Sequence, residues 1–123
     1  FEHRSFAQEL LLCQRYYEVL VKGSGQSWGG IASMYANNET HHQCNWHDKR
    51  ATPTLEWASG TDYYTFYGNG TNNSQNGFNQ FLYAHPKGGG IVTNVATVFV
   101  QGGAVFVYSN NASSYVAVSA ELT

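Results

Sequence analysis

The feature that most restricts this chain is its punctuation: short β-branched and aromatic runs, each closed by a Gly- or Asn-bearing turn before reaching helical length. Tyr63-Tyr64-Thr65-Phe66-Tyr67 is the sharpest case. It ends in Gly68-Asn69-Gly70, whose Asn-Gly pair tolerates left-handed backbone angles. Similar runs cover Tyr16–Val21, Ile31–Tyr35, Phe78–Ala84, Val92–Val100, Ala104–Ser109 and Tyr115–Leu122. Thr52-Pro53-Thr54-Leu55-Glu56-Trp57 has Pro near its start, which suits a strand entry or a sheet edge. Thr40–Asp48 is polar but compatible with extended backbone. Between the runs, Lys22–Gly25, Asn37-Asn38, Gln101–Gly103 and Asn110-Asn111 read as turns, Thr71–Gly77 as a polar loop and His85–Gly90 as a break.

Seven or eight short strands at nearly regular spacing, without a fixed-period repeat, predict an all-β fold: an antiparallel, jelly-roll-like β-sandwich. The opening is the exception. Ser5 and Gln8 have the spacing of a capping box, and Ala7, Gln8, Glu9 and the leucines after them favour helix. A short helix over about 6–13 is expected, with strands from about 16 onward. At 123 residues the whole chain, 1–123, is one domain, since half of it is too short to bury its own core. Phe1 stands where an initiator Met is absent, so the chain is expected to be a fragment of a longer one.

Composition narrows the function. Only six residues are Lys or Arg, the net charge is −2, and Lys49-Arg50 is the one adjacent basic pair. Binding nucleic acid needs a clustered basic face, so it is not expected. No apolar run reaches membrane-spanning length, so no membrane insertion is expected. Charged residues make up 11% and aromatics 15%, with polarity carried by Asn, Gln, Ser, Thr and Gly, a balance suited to sheets and loops making neutral hydrogen bonds. Cys13 and Cys44 admit two readings. A disulfide suits a secreted domain, and two reduced thiols suit a protein folded in a bacterial cytoplasm. The reduced reading is preferred, because a domain of this size needs no staple.

The opening Phe1-Glu-His-Arg-Ser-Phe-Ala-Gln-Glu-Leu-Leu-Leu-Cys13-Gln-Arg-Tyr-Tyr-Glu18 resembles a segment of phage tail, fibre and receptor-binding proteins, where a short helix ending in Leu-Cys-Gln-Arg-Tyr-Tyr leads into a β-rich C-terminal domain. Lys49-Arg50-Ala51-Thr52-Pro53-Thr54 and Ser119-Ala120-Glu121-Leu122 extend the resemblance in order along nearly the whole chain. It implies a homotrimeric domain at the C-terminus of a longer fibre chain, located in the virion (tail or capsid fibre) and assembled in the bacterial host cytoplasm. The segments Trp28–Asp48 and Thr61–Lys87 depart from the pattern and are where individual binding behaviour is expected.

Two constellations stand out. His41-His42-Gln43-Cys44-Asn45-Trp46-His47-Asp48 is rich in metal-ligand types. On a strand, however, His42 and Cys44 share one face and His41 takes the other, and the spacing fits no standard zinc pattern. A trimer offers another arrangement, an axial metal ion held by three copies of His41, His42 or His47; otherwise no cofactor is expected. The second constellation is aromatic. An exposed ring stacks on the apolar face of a sugar while neighbouring amides fix its hydroxyls. Trp28, Trp46, His47, Asp48, Tyr67 and Asn69 are the candidate glycan or receptor contacts, with Trp28 and Trp46 placed on loops.

Cys13, Tyr16 and Tyr17 read as packing residues. Arg15 with Glu18, and Arg4 with Glu9, can pair across a subunit boundary. The eight acidic residues are scattered and no nucleophile motif is present, so no enzymatic activity is expected. Asn38-Glu-Thr40, Asn69-Gly-Thr71, Asn72-Asn-Ser74 and Asn111-Ala-Ser113 are glycosylation sequons that a phage protein never uses. The expected function is therefore host-surface binding by a fibre domain, through glycan or another receptor. Two alternatives remain open: a purely structural trimerisation cap or capsid-decorating knob, and a secreted lectin-like glycoprotein domain, which requires a Cys13–Cys44 disulfide.

Overall fold

The computed structural model describes residues 5–120. Arg4, and with it the Arg4–Glu9 pairing, lies outside the described residues, as do Glu121 and Leu122. The domain is an all-β sandwich of antiparallel strands with one short helix. Helix α1 spans Phe6–Gln14, and its capping box forms as expected: the Gln8 amide donates to Ser5 Oγ (3.2 Å) and the Ser5 amide to Gln8 Oε1 (3.0 Å). Ten strands follow among the described residues: β1 Tyr17–Lys22, β2 Ala32–Ala36, β3 Glu39–Asn45, β4 Thr54–Trp57, β5 Tyr64–Gly68, β6 Thr71–Gln75, β7 Gln80–His85, β8 Gly88–Asn94, β9 Ala104–Ser109 and β10 Tyr115–Ser119. They form a small sheet, β1-β10-β4, and a large one, β6-β5-β9-β2-β3-β8-β7. The large sheet is narrowest at its middle, where β2 and β9 share two residue pairs, Ala32–Val105 and Ser33–Ala104.

Three segments differ from the sequence reading. Thr71–Gln75, expected as loop, is strand β6. Asn69 (φ 50°) and Gly70 (φ 70°) form a two-residue turn with both residues left-handed, and Gly68 pairs with Thr71 across it. The hairpin thus imposes on polar residues a strand they would not choose alone. The Gly88-Gly89-Gly90 break is the start of β8, paired to β3 from Asn45–Gly88 to Glu39–Asn94. The Trp46 and Phe81 rings both close on Gly89, where an added Cβ would lie 3.1 Å from each, so the glycines make room for rings. Conversely, Val95–Val100 is not strand. The chain leaves β8 at Asn94, and Phe99 is buried while Val98 and Val100 point to solvent.

Aromatic residues join the two sheets. Tyr64 on β5 is fully buried, and its hydroxyl donates to the carbonyl of Ala58, which follows β4 (2.6 Å), and lies 3.0 Å from that of Tyr115, the first residue of β10. Trp28 packs edge-on against His42, Tyr64 and Phe78, with centroids 5.4, 6.0 and 5.8 Å away, and Phe78 meets Trp57 of β4 at 5.7 Å. Val21, Val116 and Val118 of the small sheet and Phe66, Ile91, Val105 and Val107 of the large one complete the core.

Trp28 can enter the core because Gly29 turns the chain at φ +67°, where a Cβ would sit 3.0 Å from both Cys44 Sγ and His42 Nε2. Gly29→Ala is expected to cost about 1–3 kcal/mol in urea unfolding. Gly30→Ala, where a Cβ meets nothing within 4 Å, should change stability by less than about 0.5 kcal/mol. Equal effects at the two positions would contradict this packing.

Candidate binding face

The six residues proposed as contacts separate into three places. Trp28 and Trp46, expected on exposed loops, are core residues with 6% and 8% of their surface accessible. The expectation fails for a physical reason: short glycine-rich stretches fold each ring inward, Gly29-Gly30 beside Trp28 and Gly88–Gly90 opposite Trp46. Trp46 stacks at 39° on Phe81, centroids 5.8 Å apart. Neither tryptophan is available to a sugar.

His47 and Asp48 are exposed on the turn after β3, where His47 belongs to a structural cluster. Lys49 is buried, and its ammonium donates to Glu18 Oε1 (2.8 Å) and to the His47 carbonyl (2.6 Å). The His47 amide donates to Glu18 Oε1 (2.9 Å), and His47 Nδ1 lies 3.2 Å from Glu18 Oε2. Burial alone would raise the Glu18 pKa. The hydrogen bonds from Lys49 and from the His47 backbone and ring outweigh it and hold the carboxyl below its ordinary range. Glu18 is thus committed to Lys49 and His47 within the chain, where Arg15 was the expected partner. The Arg50 amide donates to the Arg15 carbonyl (3.0 Å), and the Arg50 guanidinium sits 5.7 Å from the Tyr16 ring centroid, so the same turn clasps the junction between α1 and β1.

The candidate metal ligands diverge. His42 and Cys44 face the core and His41 the opposite side, as strand alternation requires. Burial depresses the His42 pKa, partly offset by the Gly30 and Trp28 backbones, and Nε2 lies 2.8 Å from the Gly30 carbonyl. His42 is therefore a neutral core imidazole and cannot reach a symmetry axis. His41 stacks on Tyr35 (centroids 4.9 Å apart) and lies 3.7 Å from Glu39. Among the described residues, no three His, Cys, Asp or Glu side chains converge on a point where an ion could sit. Both cysteines are free thiols. Burial pushes Cys44 up to about 12, and Cys13, expected to be buried, is exposed on α1 together with Leu10, Leu11 and Leu12. Tyr16 is likewise more exposed than a packing residue.

Tyr67 and Asn69 do reach a solvent-facing surface. On the outer side of the large sheet, Tyr67 pairs directly with Phe106 of β9; the two are 43% and 57% exposed. Ile31, 57% exposed, sits one position before Ala32, whose ladder partner is Val105, the neighbour of Phe106. Asn72, opposite Tyr67 on β6, and Asn69 and Gln43 are also exposed. The result is a line of exposed apolar groups bordered by neutral amides. Sequence reading missed Phe106 because Val105-Phe106-Val107-Tyr108 is apolar at every position, so its period does not say which face is buried. The signal available was its place between two valines that fill the core.

Comparison of the chain with protein-family models, curated proteins and solved structures returns no match. No helix among the described residues is long and apolar enough to cross a membrane.

Two acid-sensitive groups set a pH profile. The native His42 value lies below 6.5 and the native Glu18 value below 4.5, so in each case the unfolded chain binds the extra proton. Each contribution is complete above the unfolded value and is lost as pH falls through the folded one. The urea midpoint should therefore decline below pH 6.5 and again below pH 4.5. Glu18→Gln should flatten the second decline and, by stranding buried Lys49, cost about 3 kcal/mol at pH 7. A variant as stable as the parent at neutral pH would show that the Glu18–Lys49 pair contributes nothing.

Proposed function

We propose that this domain is an adhesion module, the distal part of a phage fibre or tail protein, which binds glycan on the host cell surface as a homotrimer within the virion. The observation that carries this reading is the Tyr67–Phe106 pair, open to solvent on a rigid sheet and edged by Asn69, Asn72 and Gln43. Paired rings offer a flat apolar ledge at low conformational cost, and neutral amides can bond hydroxyls without demanding a charge from the ligand. Such a site is weak alone. Three copies on one assembly raise the effective affinity by orders of magnitude.

A second reading, the trimerisation cap, is favoured by a different observation. Helix α1 buries none of its residues within the chain, although Phe6, Leu10, Leu11 and Leu12 are apolar. A nine-residue helix is marginal in water without tertiary packing. Self-association through α1 fits either reading, so the two differ only in what the outer sheet face does. The secreted lectin-like alternative loses its required disulfide, because both thiols are free.

The double variant Tyr67→Ala/Phe106→Ala should reduce adsorption of the domain to host cells by at least about tenfold, since each lost ring contact is worth roughly 1 kcal/mol and is repeated three times. Its mass by light scattering should be that of a trimer, like the parent. Undiminished adsorption by a trimeric double variant would reject the ring ledge as the adhesive site and leave the structural cap as the better reading.

A further inference from the structure

We infer that the half-enclosed pocket lined by Met34, Asn69, Phe99, Val100, Ala104 and Val105 is a subsite for the acetamido group of a neutral N-acetylated hexosamine whose ring lies on Tyr67 and Phe106. This rests on the adhesion reading and adds to it the class of sugar. The pocket lies where β9 begins, and Asn69 and Ala104 at its rim are both solvent-exposed. Ala104 and Phe106 are two residues apart on one strand, so they share a face and are separated by about 7 Å. Met34, Phe99 and Val105 face the core, so the pocket opens at the end of β9, and a pyranose on the ring ledge would carry its substituent over that strand end to the rim at Asn69 and Ala104.

Size, polarity and hydrogen-bonding sense each narrow the occupant. The volume is about 170 Å³. Drug-sized ligands occupy about 300–1,000 Å³, whereas a cavity of about 150 Å³ holds benzene, so the space takes a group of roughly six heavy atoms, enough for an acetamido substituent and too small for a whole monosaccharide with its hydroxyls. Met34, Phe99, Val100 and Val105 supply its apolar walls, polar atoms of the backbone and Asn69 make up about half of its surface, and no charged side chain lines it. A methyl group is welcome there, while a carboxylate or ammonium would have no counter-charge. Asn69 sets the polar requirement. Its Nδ2 donates to the Val98 carbonyl (3.4 Å), which leaves Oδ1 as an acceptor at the rim. An acceptor beside an uncharged pocket with both apolar walls and backbone polar atoms suits an N–H next to a methyl group and a carbonyl, as in an acetamido substituent. An acetyl ester has the methyl but no N–H.

The test is titration of the ¹⁵N-labelled domain with the methyl glycosides of N-acetylglucosamine, N-acetylgalactosamine, glucose and galactose, followed by amide chemical shifts. At least one N-acetylated sugar should shift the amides of Asn69, Ala104 and Val105 together with those of Tyr67 and Phe106. It should bind about fourfold or more tightly than its parent hexose, the gain expected for one buried methyl carbon. Ala104→Leu, which plugs the mouth, should bring the N-acetylated sugar down to the affinity of its parent. If parent and N-acetylated sugars bind equally at Tyr67 and Phe106, the subsite is wrong and the ledge still binds sugar. If no sugar shifts either set of amides, the subsite is rejected, and cell adsorption by the unmodified domain decides separately whether the face binds a receptor of another kind.

Discussion

The structure depends on the aromatic joint that ties the large sheet to the small one. Tyr64 spans the gap with its hydroxyl on the Ala58 and Tyr115 carbonyls, and Trp28, Phe78 and Trp57 carry ring contacts from His42 on β3 to β4. Buried rings combine large apolar area with few rotatable bonds, so a small set of them can hold unequal sheets together. The polar tip of Tyr64 is satisfied by the Ala58 carbonyl and lies near the Tyr115 carbonyl, which also accepts from the Ala58 amide. This joint sets everything outside it. Trp28 is drawn in by the Gly29 turn, the side chains of β3 are sorted into His42 and Cys44 inside and His41 outside, and β9 is left with Val105 and Val107 in the core and Phe106 in water.

Phe106 is the consequence on which the proposed function rests. A strand that fills a core with alternate valines normally presents polar side chains on its other face. Here β9 presents Phe106, and its neighbour β5 sets Tyr67 directly opposite. The surrounding side chains are amides, with no ammonium or carboxylate on the same line of the sheet. Charge in this domain is spent instead on architecture, as in the Glu18–Lys49–His47 cluster that pins the turn after β3 to β1. A face of this kind suits a neutral ligand with apolar and hydroxyl-bearing sides. The exposed leucines of α1 lie on a separate element, so the proposed adhesion and the proposed self-association do not compete for one surface.

Much of the fold was legible in the residue pattern, because β-branched and aromatic runs broken by Gly and Asn leave few alternatives to antiparallel strands. The capping box at Ser5 and Gln8 and the alternation through His41, His42 and Cys44 read correctly for local reasons: both depend on residues close in sequence. The failures share a different cause. Thr71–Gln75 became a strand through its hairpin partner, Gly88–Gly90 through rings that pack over it, and Val95–Val100 leaves the sheet with Phe99 buried and Val98 and Val100 exposed. Each is a tertiary effect overriding local propensity. The candidate contacts divided the same way. Asn69 was placed on the surface by its own turn chemistry, and Tyr67 by alternation with the buried Phe66 on β5. Trp28 looked like a loop residue because of Gly29-Gly30 and its polar neighbours, and Trp46 because of the His cluster around it, but Gly29 and the remote Gly89 give the two rings room inside.

The partition of rings between interior and outer face can be measured directly by NMR of the aromatic side chains of the domain with a soluble gadolinium chelate, which broadens protons in proportion to solvent contact. Strong broadening of Tyr67 and Phe106, with the Trp28 and Trp46 indoles protected, is the result this account predicts. Protected Tyr67 and Phe106 rings, or broadened Trp28 and Trp46 indoles, would contradict it.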